Sequence, residues 1–117
     1  MPGRCVRGMV LEVNLDPTVG HEIKKSRPCL VIQNDIGNAH SPATIVAAIT
    51  GAENVARAYP VHVPVRKGEA GLAKDSVILC GQIRTVDETR FVRVYGMVSS
   101  ATMEKVDQAL KISLALS

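Results

Sequence analysis

Side chains that can bind a phosphate group occur where strands are predicted to begin or end. Arg27 directly precedes Pro28, and a proline disfavours the helical region for the residue before it, so Arg27 is predicted to enter an apolar strand in an extended conformation. Thr50 closes the next apolar run, and Gln82 and Arg84 follow a later one. A planar guanidinium matches phosphate oxygens and stays charged at any working pH. These residues indicate a site for an anionic ligand.

A long polar loop precedes Arg27 and adds further candidates. Asp16-Pro17 is predicted to end the first strand and Gly20 to turn the chain. The loop carries His21, Glu22 and Lys25. Long loops between strands often hold functional residues, so this loop is a candidate part of the site.

These residue types could cleave RNA without a metal ion. The 2′-hydroxyl of RNA can attack the adjacent phosphorus, so the protein needs only a proton acceptor, a proton donor and positive charge near the phosphate. Arg27 suits the charge role, and Thr50 and Ser76 add hydroxyl groups. The same residues also fit a β-rich domain with a basic face, in which Arg27 is a surface ion-pair partner and Thr50 an ordinary β-branched residue.

Composition narrows the classes of protein. The 117 residues predict one domain, residues 1–117. Hydrophobic residues make up 46% of the chain but aromatic residues only 3%, which disfavours single-strand binders that stack bases on aromatic platforms. The net charge of +3 suits an anionic partner without identifying one.

Metal, cofactor and membrane roles find no support in the sequence. The three histidines are scattered, and Cys5, Cys29 and Cys80 show no metal-binding spacing, so neither a metal site nor another cofactor is expected. Cys29 and Cys80 lie within apolar runs, which favours reduced core cysteines and a cytoplasmic location. No apolar run approaches membrane-spanning length, so no membrane association is expected.

Hydrophobic periodicity predicts a β-rich chain that ends in a helix. The predicted strands cover residues 10–15, 29–32, 43–50, 61–65, 76–86 and 91–98. Pro64 marks the fourth as an edge strand, and Gly81 predicts a bulge in the fifth. From Ser99 or Ser100, a predicted N-cap, the period becomes helical, with an ion pair expected between Asp107 and Lys111. The expected fold is mainly β: a small, strongly bent antiparallel sheet or barrel with the helix packed against it.

The order and spacing of these segments resemble the MazF/PemK/Kid-type toxins of bacterial type II toxin–antitoxin systems. The resemblance covers nearly the whole chain. It runs through Arg7-Gly8, Asp16-Pro17, Gly20, Glu22, Arg27-Pro28, Leu30-Val31-Ile32, Asn34-Asp35-Ile36-Gly37-Asn38, Ser41-Pro42, Ile49-Thr50, Asp75-Ser76-Val77, Gln82-Ile83-Arg84-Thr85-Val86-Asp87 and the C-terminal helix. It implies an SH3-like barrel of the PemK and CcdB type and a homodimer.

The resemblance also implies sequence-specific, metal-independent cleavage of single-stranded RNA, mRNA included. The family's catalytic pair falls on Arg27 and Thr50, and the products would be a 2′,3′-cyclic phosphate or 3′-phosphate and a 5′-hydroxyl. Gln82 and Arg84 would line the RNA groove, and the loop from Gly20 to Lys25 would close over the substrate. A MazE-like antitoxin would occupy that groove through an extended acidic segment.

Two departures from the family pattern concern the strand before Gln82. Many members have an acidic residue where this chain has Gly81. In the Kid branch a loop histidine acts with an arginine and an aspartate. His21 matches the histidine, but Leu79 and Gly81 replace its partners, so His21 is expected at most to assist.

The alternative function is that of a non-enzymatic, gyrase-binding poison like CcdB. Arg27 and Thr50 favour RNA cleavage instead, and the C-terminus lacks the aromatic residue expected of those poisons.

Overall fold

A computed structural model describes residues 5–17, 19–21 and 25–117. Six strands and two α-helices are formed by these residues. The strands are β1 (Met9–Asn14), β2 (Ser26–Val31), β3 (Ala43–Gly51), β4 (His62–Val65), β5 (Ser76–Asp87) and β6 (Phe91–Met97), and the helices are α1 (Asp35–His40) and α2 (Ser100–Ser113). Three short 3₁₀ turns lie at Ala52–Asn54, Glu69–Gly71 and Glu88–Arg90. The predicted strands and the C-terminal helix are confirmed, with ends shifted by a few residues.

All six strands belong to one antiparallel sheet in the order β4-β5-β3-β2-β1-β6. The predicted edge position of β4 is confirmed. The turn after β4 lies against β6: a Cβ on Gly71, whose φ is +75°, would come 2.5 Å from the Tyr95 carbonyl oxygen. This packing bends the sheet towards closure, and the Cα atoms span 35 × 31 × 30 Å. The predicted fold class, mainly β with a C-terminal helix, is confirmed.

Alternate residues of the strands form two apolar clusters, because successive side chains of a strand point to opposite faces. One cluster lies on the side of α2, which we call the helix face. It includes Leu30, Ala47, Ile49 and Ile78 from the sheet and Val106 from α2. The other side we call the pocket face, and its cluster is Cys5, Leu11, Val13, Leu15, Cys29, Val31, Val46, Val86 and Phe91. Because the sheet is packed on both faces, its strands hold the functional side chains at defined positions.

Polar contacts hold helix α2 at its N-terminus and at its middle. The Ser99 side chain caps the helix by accepting a hydrogen bond from the Thr102 backbone N–H, as predicted. In the middle of the helix, Asp107 forms an ion pair with Arg7 at 2.7 Å, so the expected pairing with Lys111 is wrong. Arg7 also donates from Nε to the Ile32 carbonyl oxygen at 2.8 Å, which explains why it faces Asp107. No helix of the described ranges is long and apolar enough to cross a membrane.

Candidate active site

The register of β2 and β3 brings Arg27 and Thr50 towards each other. These strands pair Cys29 with Ala48. In an antiparallel register, two residues back along β2 are matched by two residues forward along β3, and both steps return to the same face. Continuing the register therefore sets Arg27 opposite Thr50 on the pocket face. Thr50 is 6% exposed and lines one of two neighbouring pockets, whereas the half-buried Arg27 is in the lining of neither.

A bulge in β5 places Gln82 between two pockets, of which Arg84 lines the first and Thr50 the second. Ala47 of β3 pairs with Ile83, but the next residue, Ala48, pairs with Leu79, so the register along β3 skips the stretch of β5 between them. The bulge predicted at Gly81 is confirmed. It interrupts the ladder and turns the chain locally, and Gln82 consequently borders the two pockets on either side of it.

The first pocket, of about 350 Å³, joins the predicted loop to the predicted strand residues. His21 lies on its loop side and Gln82 and Arg84 on its strand side, above a floor formed by Cys29 and Ala48. Arg84 donates from Nη1 to the Leu15 carbonyl oxygen at 2.9 Å. A guanidinium has five N–H donors, so this anchor fixes Arg84 and leaves it able to bind an anion.

The second pocket, of about 380 Å³, opens on the other side of Gln82. Its lining includes Thr50 and a segment that the sequence analysis did not select: Asn54, Val55, Ala56, Arg57, Tyr59 and His62. Tyr59 is 50% exposed, with the Arg57 guanidinium 5.9 Å from its ring centre and the His62 ring meeting it edge-on at 5.3 Å. Tyr59 is one of only two tyrosines in a chain poor in aromatics, which was the signal that could have identified it.

Cys29 lies in the floor of the first pocket but does not supply a nucleophile. Burial raises the pKa of its thiol to about 12, although the nearby Arg84 and Arg27 cations act to lower it. A thiol with so high a pKa is almost entirely protonated at neutral pH, and the thiolate is the reactive form. The chemistry of the pocket therefore falls to cations, hydroxyls and amides.

The described parts of the loop place Lys25 at its base. Lys25 has a left-handed backbone, with φ of 67°. Its N–H donates to Asp16 Oδ1 at 2.9 Å and its carbonyl oxygen accepts from the Leu15 N–H at 3.1 Å. The Lys25 side chain is exposed, and the next residue, Ser26, begins β2. Gly20 also has positive φ, 62°, while Glu22 lies outside the described residues.

The structure does not bring Ser76 into either pocket. Its side chain is buried, and its hydroxyl donates to the Lys74 carbonyl oxygen at 2.9 Å. Ser76 pairs with Gly51 and Val65 in the sheet, which places it beyond the end of the pocket lining. No group of three or more His, Cys, Asp or Glu side chains suited to a metal ion occurs in the described part of the chain.

The fold and the site define a small, bent β-sheet protein with a cationic cleft suited to a phosphodiester chain. Residues 6–114 match the family model described as the PemK-like, MazF-like toxin of type II toxin-antitoxin system. Over 110 residues, the chain is 49% identical to endoribonuclease EndoA of Bacillus subtilis (strain 168), covering 94% of each protein. The chain therefore belongs to the PemK-like, MazF-like toxins of type II toxin–antitoxin systems.

Solved structures support the same fold at lower sequence identity. MazF of Deinococcus radiodurans superposes with a TM-score of 0.82 at 22% identity, covering 97% of this chain and 98% of that one. A mycobacterial endoribonuclease, solved in complex with its cognate antitoxin, superposes with a TM-score of 0.80 at 22% identity, covering 97% of each chain. At this identity the similarity concerns the fold.

Proposed function

We propose that this toxin is an endoribonuclease that cleaves single-stranded RNA, mRNA included, at a specific short sequence and without a metal ion. The observation that carries the proposal is the cleft with a pocket on each side of Gln82, the second of which Thr50 lines. Extending the β2–β3 register from the pair Cys29–Ala48 supports a position for Arg27 opposite Thr50. The 49% identical relative named an endoribonuclease supports the same activity. Residues 1–117 then constitute one toxin domain.

The proposed reaction is an internal transfer at phosphorus. The RNA 2′-hydroxyl gives its proton to a base, either a side chain of the cleft or a water molecule, while a bond forms between O2′ and phosphorus and the bond from phosphorus to O5′ breaks. The departing O5′ takes up a proton, so the products are a 2′,3′-cyclic phosphate and a 5′-hydroxyl, and water can open the cyclic phosphate to a 3′-phosphate. Because RNA supplies its own nucleophile, positive charge from Arg27 and a hydroxyl from Thr50 suffice to stabilise the charged phosphorus intermediate.

The two pockets would hold the nucleotides that flank the cleaved bond. In the first pocket, Gln82 and Arg84 are suited to hydrogen bonds with base edges or phosphates, and His21 assists from the loop. In the second, the exposed Tyr59 ring with Arg57 beside it offers a surface on which a base can stack. This division between two pockets supports sequence-specific cleavage.

The remaining RNA-binding assignments concern the loop and Ser76. Gly20, Glu22 and Lys25 belong to the segment that we expect to close over RNA, with the Lys25 ammonium near a phosphate. We expect Ser76 to contribute less, since its hydroxyl is bonded to Lys74. A variant Ser76→Ala should therefore cleave RNA at nearly the wild-type rate.

We propose that a MazE-like antitoxin inhibits the protein by laying an extended acidic segment in the cationic cleft. The mycobacterial endoribonuclease of the same fold was solved with its cognate antitoxin, and a further Deinococcus radiodurans structure is that of a MazE–MazF complex. A homodimer is proposed as the active form, and the cytoplasm, where mRNA is available, as its location. The buried free cysteines Cys5, Cys29 and Cys80 suit that reducing compartment.

The test is cleavage of a long mixed-sequence RNA by the purified protein in the presence of EDTA. We expect cuts at one short recurring sequence, with 5′-hydroxyl ends, and we expect these cuts to disappear with Arg27→Ala. Cleavage that stops in EDTA would contradict the metal-free reaction. If the folded wild-type protein leaves all RNA intact, the endoribonuclease proposal fails, and inhibition of gyrase should then be measured.

A further inference from the structure

The described hydrogen bonds of Thr50 suggest how its hydroxyl is oriented. Its Oγ1 accepts a hydrogen bond from the Asn54 side-chain Nδ2 at 3.1 Å. A threonine hydroxyl has one O–H to donate and lone pairs to accept with. Because the Asn54 N–H donates to the Thr50 oxygen, the Thr50 O–H cannot point at Asn54 and is directed towards another acceptor. Thr50 and Asn54 both line the second pocket, where a bound phosphate group could accept a hydrogen bond from the Thr50 hydroxyl.

We propose that Asn54 is a positioning residue, which holds the Thr50 hydroxyl as a hydrogen-bond donor to the phosphate at the cleavage site. This inference rests on the proposed endoribonuclease function and assigns a role to a residue that does not itself contact the phosphate. The bond from Asn54 restricts rotation about the Thr50 side chain. It also polarises the hydroxyl, because a hydroxyl that accepts a hydrogen bond becomes a stronger donor.

The turn that carries Asn54 is held independently of this bond. Its first residue, Ala52, donates its N–H to the Asp75 carbonyl oxygen at 2.9 Å, and Val55 donates back to Ala52 at 3.2 Å. Glu53 forms an exposed ion pair with Lys74, in the segment before β5, and such a pair adds little to this attachment. Removing the Asn54 side chain should therefore leave the turn in place, so that an effect on cleavage can be separated from an effect on folding.

The test is a double-mutant cycle of Asn54→Ala and Thr50→Val, measured on an RNA oligonucleotide that spans a mapped cut site. We expect Asn54→Ala to lower kcat about fivefold to tenfold, the scale of one neutral hydrogen bond, with little change in KM. In the Thr50→Val background the same change should have no further effect, because the hydroxyl is already absent. A loss of equal size in that background would overturn the proposal, as would an unchanged kcat in the single variant.

Two further variants sharpen the cycle. An aspartate at position 54 has nearly the same shape as asparagine, but when ionised it accepts hydrogen bonds and cannot donate them. In Asn54→Asp the Thr50 hydroxyl should therefore donate to the aspartate and point away from the substrate. This variant should lower kcat further than Asn54→Ala. Glu53→Ala, in the same turn, is the matched control and should leave kcat within about twofold. Cleavage by Asn54→Asp at the wild-type rate would contradict the stated direction of the hydrogen bond.

A measurement that needs no cleavage separates this proposal from the proposed function. The side-chain amide protons of Asn54, observed by NMR in the free protein, should shift when Thr50 is replaced by Val, because one of them loses its acceptor. If these protons do not shift, Asn54 does not bond to Thr50 and the proposal is overturned. If they shift but Thr50→Val cleaves as fast as wild type while Arg27→Ala does not cleave, Thr50 has no catalytic role and the proposal is likewise overturned.

Discussion

The helix face and the pocket face are built from alternate residues of the same strands, but they are covered in different ways. On the helix face, α2 packs against β4 and β5, and the core residues Ile49 and Ile78 are almost completely buried. On the pocket face, Cys29 and Val46 of the apolar cluster line the first pocket, and further along the strands lie Arg27 on β2 and Thr50 on β3. A single period of two thus produces one core that α2 covers and a second core that borders the first pocket.

This difference predicts that stability and activity can be changed separately. Residues of the helix face contribute buried apolar area, so their substitution should change the free energy of unfolding. The polar residues at the cleft contribute little buried apolar area, so their substitution should change the rate of RNA cleavage instead. The variants below test this separation, beginning with the largest expected effect.

Arg27→Ala should lower the cleavage rate by a factor on the order of 10² to 10³, the scale of losing one positioned group that stabilises a developing negative charge. The melting temperature should change by less than ~3 °C, since Arg27 is only half-buried. Arg66→Ala, which removes an exposed arginine outside both pockets, is the control for net charge. Equal losses of activity in the two variants would mean that Arg27 acts only through the overall charge.

Val106→Ala should have the opposite profile. Val106 is fully buried between α2 and the sheet, so losing its two methyl groups should cost about 2 kcal/mol of unfolding free energy and lower the melting temperature by about 8 °C. Below that temperature, the kcat and KM of the folded protein should match those of wild type. A large fall in kcat with an unchanged melting temperature would contradict the separation of the two faces.

The sequence was enough to predict the elements of both faces but not the way in which they meet. Alternating or continuous apolar residues predicted the strands, and the helical period that begins at Ser99 or Ser100 predicted α2. The position of Arg27 opposite Thr50 depends on the β2–β3 register, which is a long-range property with no local signal. The family's motif order suggested the pair through the resemblance, whereas the register supplies its physical cause.

The errors of the sequence analysis have the same origin. The ion pair of Asp107 was expected within the helix, but Arg7, distant in sequence, is the partner. The segment from Asn54 to Tyr59 shows neither a strand nor a helix period, so nothing local distinguished it from a solvated link. It lines the second pocket because the turn at Ala52–Asn54 is attached to the start of β5.

Gly81→Glu tests what the pocket face gains from a small residue in the bulge. A Cβ at Gly81 would meet Val61 Cγ2 at 3.6 Å, an ordinary contact, so the variant should fold. Its carboxylate would add a negative charge at the first pocket, whose lining includes Gly81, and would repel phosphate, which should lower cleavage at the wild-type site about tenfold and change the preferred sequence. Gly81→Ala is the matched control, expected within about twofold of wild type. An unchanged cleavage map in Gly81→Glu would show that the first pocket does not read RNA.

Replacing Lys25 should change both the stability of the protein and its binding of RNA, and each change should be small. Its left-handed backbone, with φ of 67°, favours glycine over any residue that carries a Cβ. Lys25→Gly should therefore be more stable than Lys25→Ala by about 1 kcal/mol, or about 4 °C in melting temperature. Both variants keep the backbone bonds to Asp16 and Leu15, so the difference isolates the strain in the backbone.

The two Lys25 variants should nevertheless bind RNA equally weakly, because each lacks the ammonium group. If that group neutralises one phosphate, the slope of log K against log salt for a single-stranded RNA should fall by about 0.7 in both variants. A noncleavable RNA with a 2′-deoxy sugar at the mapped cut site allows this measurement at equilibrium. Equal stability of the two variants would contradict the backbone argument, and an unchanged salt slope would remove Lys25 from the RNA-binding surface while leaving the roles of Arg27 and Thr50 intact.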